Sequence, residues 1–252
     1  RKLIQEGCEA CPTSVDVWLE AARLHPLQVS KSILAKAVRR VSNTIPLFLK
    51  AAELETVPQN KKAVLRKALE QNPHSLQLWK YAIGLEETQE GAKILLGVAV
   101  EKVPTAIELW MALARLETYK EAQQTLNKAR KALPLEKTIW MAASKLEESQ
   151  NHLDRVPKIV DKAFRSLSKK EVVITRQQWI TEAQDCEVSG APVTSAAIVS
   201  KAIGLGILQE DKVRTWSDDA KQVLARGHVA TARAILAHAL QQFPTKRSLR
   251  MQ

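Results

Sequence analysis

The stretch PTAIELWMALARLETYKEAQQTLNKARKAL, residues 104–133, decides the fold. Pro104 and Thr105 mark a turn or the first turn of a helix. Leu109, Ala112, Leu113 and Leu116 then follow at three- and four-residue steps, with Trp110 and Ala114 adjoining that face. Glu117-Thr118-Tyr119 closes the first helix. Ala122, Thr125, Leu126, Ala129 and Leu133 line one side of a second. Period-two alternation of apolar and polar residues is absent, which argues against a strand-containing unit.

The same pattern extends along the chain in both directions. An aliphatic residue stands three places before an alanine at Leu34/Ala37, Leu65/Ala68, Leu96/Ala99, Leu126/Ala129, Val160/Ala163, Val199/Ala202 and Leu236/Ala239. Tryptophan comes six residues after proline at Pro12/Trp18, Pro73/Trp79, Pro104/Trp110 and Pro134/Trp140. From Trp79 to Trp110 to Trp140 the spacing is 31 and then 30 residues. A fixed period in this range marks a stacked repeat. It holds two helices of roughly eleven to thirteen residues and two short turns. Phe48 takes the tryptophan place once. Beyond Trp140 the spacing stretches to 39 at Trp179 and 37 at Trp216, so longer connections are expected, at Ser166–Thr175 and Ser189–Thr194.

The expected architecture is an all-α solenoid of helix pairs forming one continuous array. Its units would be a partial repeat over 1–11, then 12–41, 42–72, 73–103, 104–133, 134–172, 173–209 and 210–243, with a partial repeat over 244–252. The chain is expected to open inside a second helix, since Leu3, Ile4 and Gly7 align with Val64, Leu65 and Ala68. It would close inside a first helix, with Arg250 in the tryptophan place and Ser42 in a turn-proline place. Both readings point to a piece of a longer array. The apolar fraction of 45% is enough for a continuous core. No apolar run approaches the roughly eighteen residues of a membrane span.

Residues that could carry chemistry do not converge. Cys8 and Cys11 form a CxxC, yet no second pair or HxxxH completes a metal site. On a helix they would be small apolar residues near one face. The five histidines share no ligand or triad spacing. Gly204-Leu205-Gly206 lacks the strand and the further glycine of a nucleotide loop. Glu55, Glu86, Glu117 and Glu147 recur with the repeat, which assigns them to packing or helix-end electrostatics rather than to one acid–base site. No catalytic residue, metal, cofactor, membrane or small-molecule substrate is therefore expected.

Charge is the remaining signal. The formal net charge is +11. Lysine precedes the repeat alanine at Lys36, Lys67, Lys128, Lys162 and Lys201, placing a cation on the same helical face in five of the seven units. The plain reading is a solvated face whose aliphatic stems cover the core. The functional reading is a basic interaction stripe complementary to RNA phosphate or an acidic partner. Aromatic residues do not interleave with these lysines, so a base-stacking platform is not expected. Trp18, Phe48, Trp79, Trp110, Trp140, Trp179 and Trp216, with Ala37, Ala68, Ala99, Ala129, Ala163, Ala202 and Ala239, are assigned to the repeat core.

Tryptophan near the start of one helix, then alanines and Leu-Glu, then aliphatic-x-x-Ala and proline: this resembles the HAT (half-a-TPR) repeat. The strings WLEAARL (18–24), AAELET (51–56), KAVLRKALE (62–70), LARLETYKEAQQTLNKAR (113–130) and WITEAQDCEVSG (179–190) are more specific. They resemble the large HAT-repeat splicing factors associated with the U5 snRNP, over essentially the whole chain. The resemblance implies a right-handed α-solenoid superhelix of antiparallel helix pairs, a nuclear location and a non-catalytic scaffold role. That role is bridging the U5 and U4/U6 particles in tri-snRNP assembly, with their spliceosomal proteins as partners and snRNA contact through the basic stripe. Two other readings stay open: an RNA-binding HAT solenoid, and a HAT scaffold of another complex such as polyadenylation or ribosome assembly.

Overall fold

The computed structural model describes residues 2–41 and 44–244; the expectations for Ser42, Arg250 and most of the terminal partial repeat lie outside them. Among the described residues there are fifteen α-helices and no strand. The fold is an α-solenoid of helix pairs, in two compact units that divide between Leu116 and Glu117.

The first unit holds α1 (Lys2–Ala10), α2 (Val15–Leu24), α3 (Leu27–Ala37), α4 (Ile45–Leu54), α5 (Pro58–Gln71), α6 (Leu76–Gly84), α7 (Gln89–Lys102) and α8 (Ile107–Leu116). Each helix packs on the next, from α1 against α2 to α7 against α8. A second helix such as α5 therefore lies between the first helices α4 and α6. Pro46 and Pro58 sit in the opening turns of α4 and α5, where a missing N–H leaves no bond unmade. The Ser75 and Thr88 hydroxyls accept from Leu78 N and Gly91 N and cap α6 and α7. Leu34, Leu47, Leu65, Leu78 and Leu96 are wholly buried, and so are Ala37, Ala52 and Ala68. An alanine at the crossing lets two helices approach closely enough for the leucines to interlock.

The second unit holds α9 (Tyr119–Ala132), α10 (Lys137–Ser149), α11 (Val156–Lys169), α12 (Arg176–Val188), α13 (Pro192–Ala202), α14 (Lys212–Ala225) and α15 (Val229–Gln242). Capping boxes start α9, with Thr118 and Glu121, and α12, with Thr175 and Gln178. Thus Tyr119 opens a second helix rather than closing a first. The second helices also touch one another here, α11 on α13 and α13 on α15.

The stretched tryptophan spacing has a cause other than two inserted loops. Ser166–Lys169 is the last turn of α11, and Pro192–Thr194 is the first turn of α13. The first helices themselves lengthen: α10, α12 and α14 have 13, 13 and 14 residues, against 9 or 10 for α2, α4, α6 and α8. Residues 170–175 and 203–211 supply the rest as linkers. In the latter, Gly206 adopts φ +68°, a left-handed turn that suits a residue without a Cβ.

Candidate functional site

The recurring aromatic occupies one register. Trp18, Phe48, Trp79, Trp110, Trp140 and Trp179 are each the fourth residue of a first helix, and Trp216 is the fifth. All seven are buried, at 1–7% exposure. The alanines Ala37, Ala68, Ala99, Ala129, Ala163, Ala202 and Ala239 are at 0%. The six-residue step from proline to tryptophan has a direct physical meaning. The indole N–H of Trp18, Trp79 and Trp110 donates to the carbonyl of Pro12, Pro73 and Pro104, at 2.9, 2.8 and 2.9 Å. The bond ties the turn entering each helix to that helix's anchor and satisfies a buried donor. Trp216 donates to Ile203 instead, at 2.8 Å, while Trp140 Nε1 finds no acceptor among the described residues.

Three of the recurring glutamates, Glu55, Glu86 and Glu147, join neighbouring repeats. Lys31 on α3 pairs with Glu55 at the end of α4, and Lys62 on α5 with Glu86 after α6, both at 2.8 Å. Gln123 on α9 donates to Glu147 on α10 in the equivalent register. Each contact spans 24 residues of sequence. Glu147 is buried and also accepts from Tyr119 (3.0 Å), Arg155 (3.2 Å) and His152 (3.0 Å). Burial alone would raise its pKa, but the Gln123, Tyr119, Arg155 and His152 hydrogen bonds outweigh it and hold the carboxyl below its ordinary value. One residue on, Glu148 receives the N–H groups of Val193 and Thr194 and the Thr194 hydroxyl at 2.7–2.8 Å, capping α13. Glu187 caps α15 in the same manner through Ala230, Thr231 and the Thr231 hydroxyl. These carboxylates are spent on helix ends and repeat-to-repeat links.

The lysines Lys36, Lys67, Lys128, Lys162 and Lys201 are all exposed. Lys201 differs from the others in pairing with Asp161, at 2.8 Å. The cysteines and histidines are dispersed. Cys8 is buried in α1, but Cys11 lies beyond the helix and is exposed, so the two do not share an apolar helical face. His25 and His74 donate to the carbonyls of Ala21 and Lys102 at 2.7 Å, and the His238 ring packs edge-on against Trp216. Among the described residues, no three His, Cys, Asp or Glu side chains are grouped to hold a metal, and no helix is long and apolar enough to cross a membrane.

What the sequence pattern did not reveal is a cleft that recurs in register beside the tryptophan. In the first unit it measures about 290 Å³, between Leu65, Arg66, Trp79, Ala82, Glu86 and Val98. In the second unit it measures about 330 Å³, between Leu126, Arg130, Trp140, Ala143, Glu147 and Lys162. A second helix, the following first helix and its partner form the walls each time. The signal in the sequence is the common spacing Leu65/Trp79/Ala82/Glu86 and Leu126/Trp140/Ala143/Glu147.

No family model matches the chain. Individual proteins do. Pre-mRNA-splicing factor prp1 of Schizosaccharomyces pombe is 47% identical over 99% of this chain. Human pre-mRNA-processing factor 6 is 49% identical over 99%, and protein STABILIZED1 of Arabidopsis thaliana 48% over 98%. The chain spans 28%, 26% and 24% of the length of these three relatives. A tetratricopeptide repeat protein from Parabacteroides merdae aligns over the whole chain with a TM-score of 0.40 at 13% identity. Along essentially its entire length, the chain is similar to one segment of the pre-mRNA-splicing factor Prp1/pre-mRNA-processing factor 6 proteins.

Proposed function

We propose that this chain is a non-catalytic protein–protein scaffold in pre-mRNA splicing, acting in the nucleus and bridging the U5 and U4/U6 particles in tri-snRNP assembly. The observation that carries the reading is near-half identity, over 99% of the chain, to proteins named as pre-mRNA splicing and processing factors. The geometry is consistent with it. Glu55 and Glu86 are engaged in links between repeats, Glu148 and Glu187 cap helices, and each unit leaves exposed helical surface suited to holding a partner. The basic stripe, Lys36, Lys67, Lys128, Lys162 and Lys201, with the seven repeat units set out above, belongs to the same proposal.

Crosslinking mass spectrometry of the assembled particle tests it. Crosslinks from this segment to proteins of both the U5 and the U4/U6 particles are the expected result. Crosslinks confined to one particle would end the bridging role. A second reading, an RNA-binding solenoid, is favoured by the +11 charge and the exposed lysines. It predicts affinity for short RNA that falls steeply with salt.

A further inference from the structure

The cleft in the second unit is a candidate for more than packing relief. Its floor is aliphatic, made by Leu126, Ile139, Leu146 and Ile159. Trp140 forms a wall, but its ring is 7% exposed and the Arg130 guanidinium lies 4.8 Å from its centroid, so no free ring face remains for a nucleobase. Two cations border the cleft, Arg130 and Lys162, and among the described residues neither has a carboxylate partner. The lining acid, Glu147, is already matched by Arg155 and His152. Asp161, beside Lys162 in sequence, is taken by Arg165 (2.7 Å) and Lys201 (2.8 Å). The local balance is two uncompensated positive charges over an apolar trough, on a chain of net charge +11.

We infer that the cleft between α9, α10 and α11 is a docking site for an acidic, aliphatic peptide segment of a partner protein. A carboxylate of the segment is held between Arg130 and Lys162, and an adjacent Leu, Ile or Val side chain enters the trough over Ile159 and Leu126. The cavity, about 330 Å³, falls at the lower end of ligand-binding clefts, about 300–1,000 Å³. Charge-assisted bonds to a carboxylate set the orientation, and burial of the aliphatic group supplies the apolar part of the affinity. Nucleic acid satisfies the cations but leaves the trough empty, which is why peptide is favoured. The inference rests on the scaffold reading and names the chemistry of one of its partners.

The probe is a short peptide of Asp-Leu pairs separated by serines. Its controls are the same peptide with Lys for Asp, the same peptide with Ser for Leu, and a short oligouridylate. The readout is the Trp140 indole N–H resonance in the whole chain, assigned by loss of one indole signal in Trp140→Phe. Saturable movement with the Asp-Leu peptide alone is expected, weakened at least tenfold by Lys162→Glu. Lys162 is an exposed side chain, so its replacement leaves the thermal melt unchanged, and Arg130→Gln provides a second variant. No movement with the Asp-Leu peptide, an equal response to the Lys or Ser control, or a stronger response to oligouridylate would overturn the assignment. The Lys162→Glu variant is also placed in the assembled particle. If wild-type protein crosslinks persist and the variant's are identical, the cleft assignment fails while the scaffold stands. If wild type gives none to proteins, the scaffold reading itself has failed.

Discussion

Replacing Trp79 by phenylalanine isolates the bond that ties each proline turn to its helix. Trp79 is 5% exposed and its indole N–H lies 2.8 Å from the Pro73 carbonyl. A buried indole covers about 150–250 Å². At about 25 cal/mol per Å² this amounts to about 4–6 kcal/mol as a ceiling. Truncation to alanine therefore costs about 3–5 kcal/mol, the range for large aromatics in cores. Phenylalanine keeps a ring in the slot and removes the donor. The lost hydrogen bond contributes about 0.5–1.5 kcal/mol, and the missing ring atoms about as much again. Trp140→Phe is the matched control, because Trp140 Nε1 has no acceptor to lose. Removing that unpaired donor offsets part of the lost volume, so Trp140→Phe should cost about 1 kcal/mol less than Trp79→Phe. Urea unfolding followed by circular dichroism, with unchanged slope, gives the two values. Hydrogen exchange across α5–α7 should show the Trp79 loss as local opening. A Trp79→Phe cost equal to or smaller than that of Trp140→Phe would refute the role given to the indole–proline bond.

Other outcomes can be checked independently. Lys67→Glu should change stability by less than about 0.5 kcal/mol, since Lys67 is exposed, and if partner and RNA binding are also unchanged the stripe is only a solvated face. Glu187→Gln should cost about 1 kcal/mol as a weakened cap of α15, measured by thermal melting. Burial alone would push Glu187 up, but the Thr231 and Ala230 hydrogen bonds and the His228 charge outweigh it and hold it below its ordinary value. Its folded-state pKa thus lies below the unfolded one. The stabilisation is complete above the unfolded carboxylate pKa and disappears as pH falls through the depressed value. Glu187→Gln should accordingly flatten the acid limb of a stability–pH curve, and an unaltered limb would contradict the sign. Burial pushes the Cys186 thiol up to about 12, so a thiol reagent at neutral pH should modify exposed Cys11 first and reach Cys186 only on unfolding.

The helix pairs and their core face were legible because the period of apolar residues is a one-dimensional property of the chain. Leu126 and Ala129 stand where a 3.6-residue period puts them, and both are buried. Tryptophan spacing, by contrast, could not distinguish a longer loop from a longer helix. That is why Ser166–Lys169 and Pro192–Thr194 were expected outside helices and are found within them. The Lys31–Glu55 and Lys62–Glu86 links were half visible: the glutamates recur, but their partners sit on another helix 24 residues away. The cleft at Trp140 was marked only by the spacing it shares with the one at Trp79, and its charge was not legible. It depends on which cations lack a partner, and Asp161 takes Lys201 and Arg165 while leaving its sequence neighbour Lys162 alone.

The contacts that join successive repeats have a consequence for how the chain acquires its shape. Lys31 needs only Glu55, Gln123 only Glu147, and even the longest of the cap links, Glu148 to Thr194, closes over 46 residues. No hairpin has to wait for a distant end of the polypeptide. At a synthesis rate of about 5–20 residues per second, each newly emerged hairpin can settle on its predecessor within seconds of leaving the ribosome. The order of translation then becomes the order of assembly, and a nascent chain halted midway would already carry finished surface.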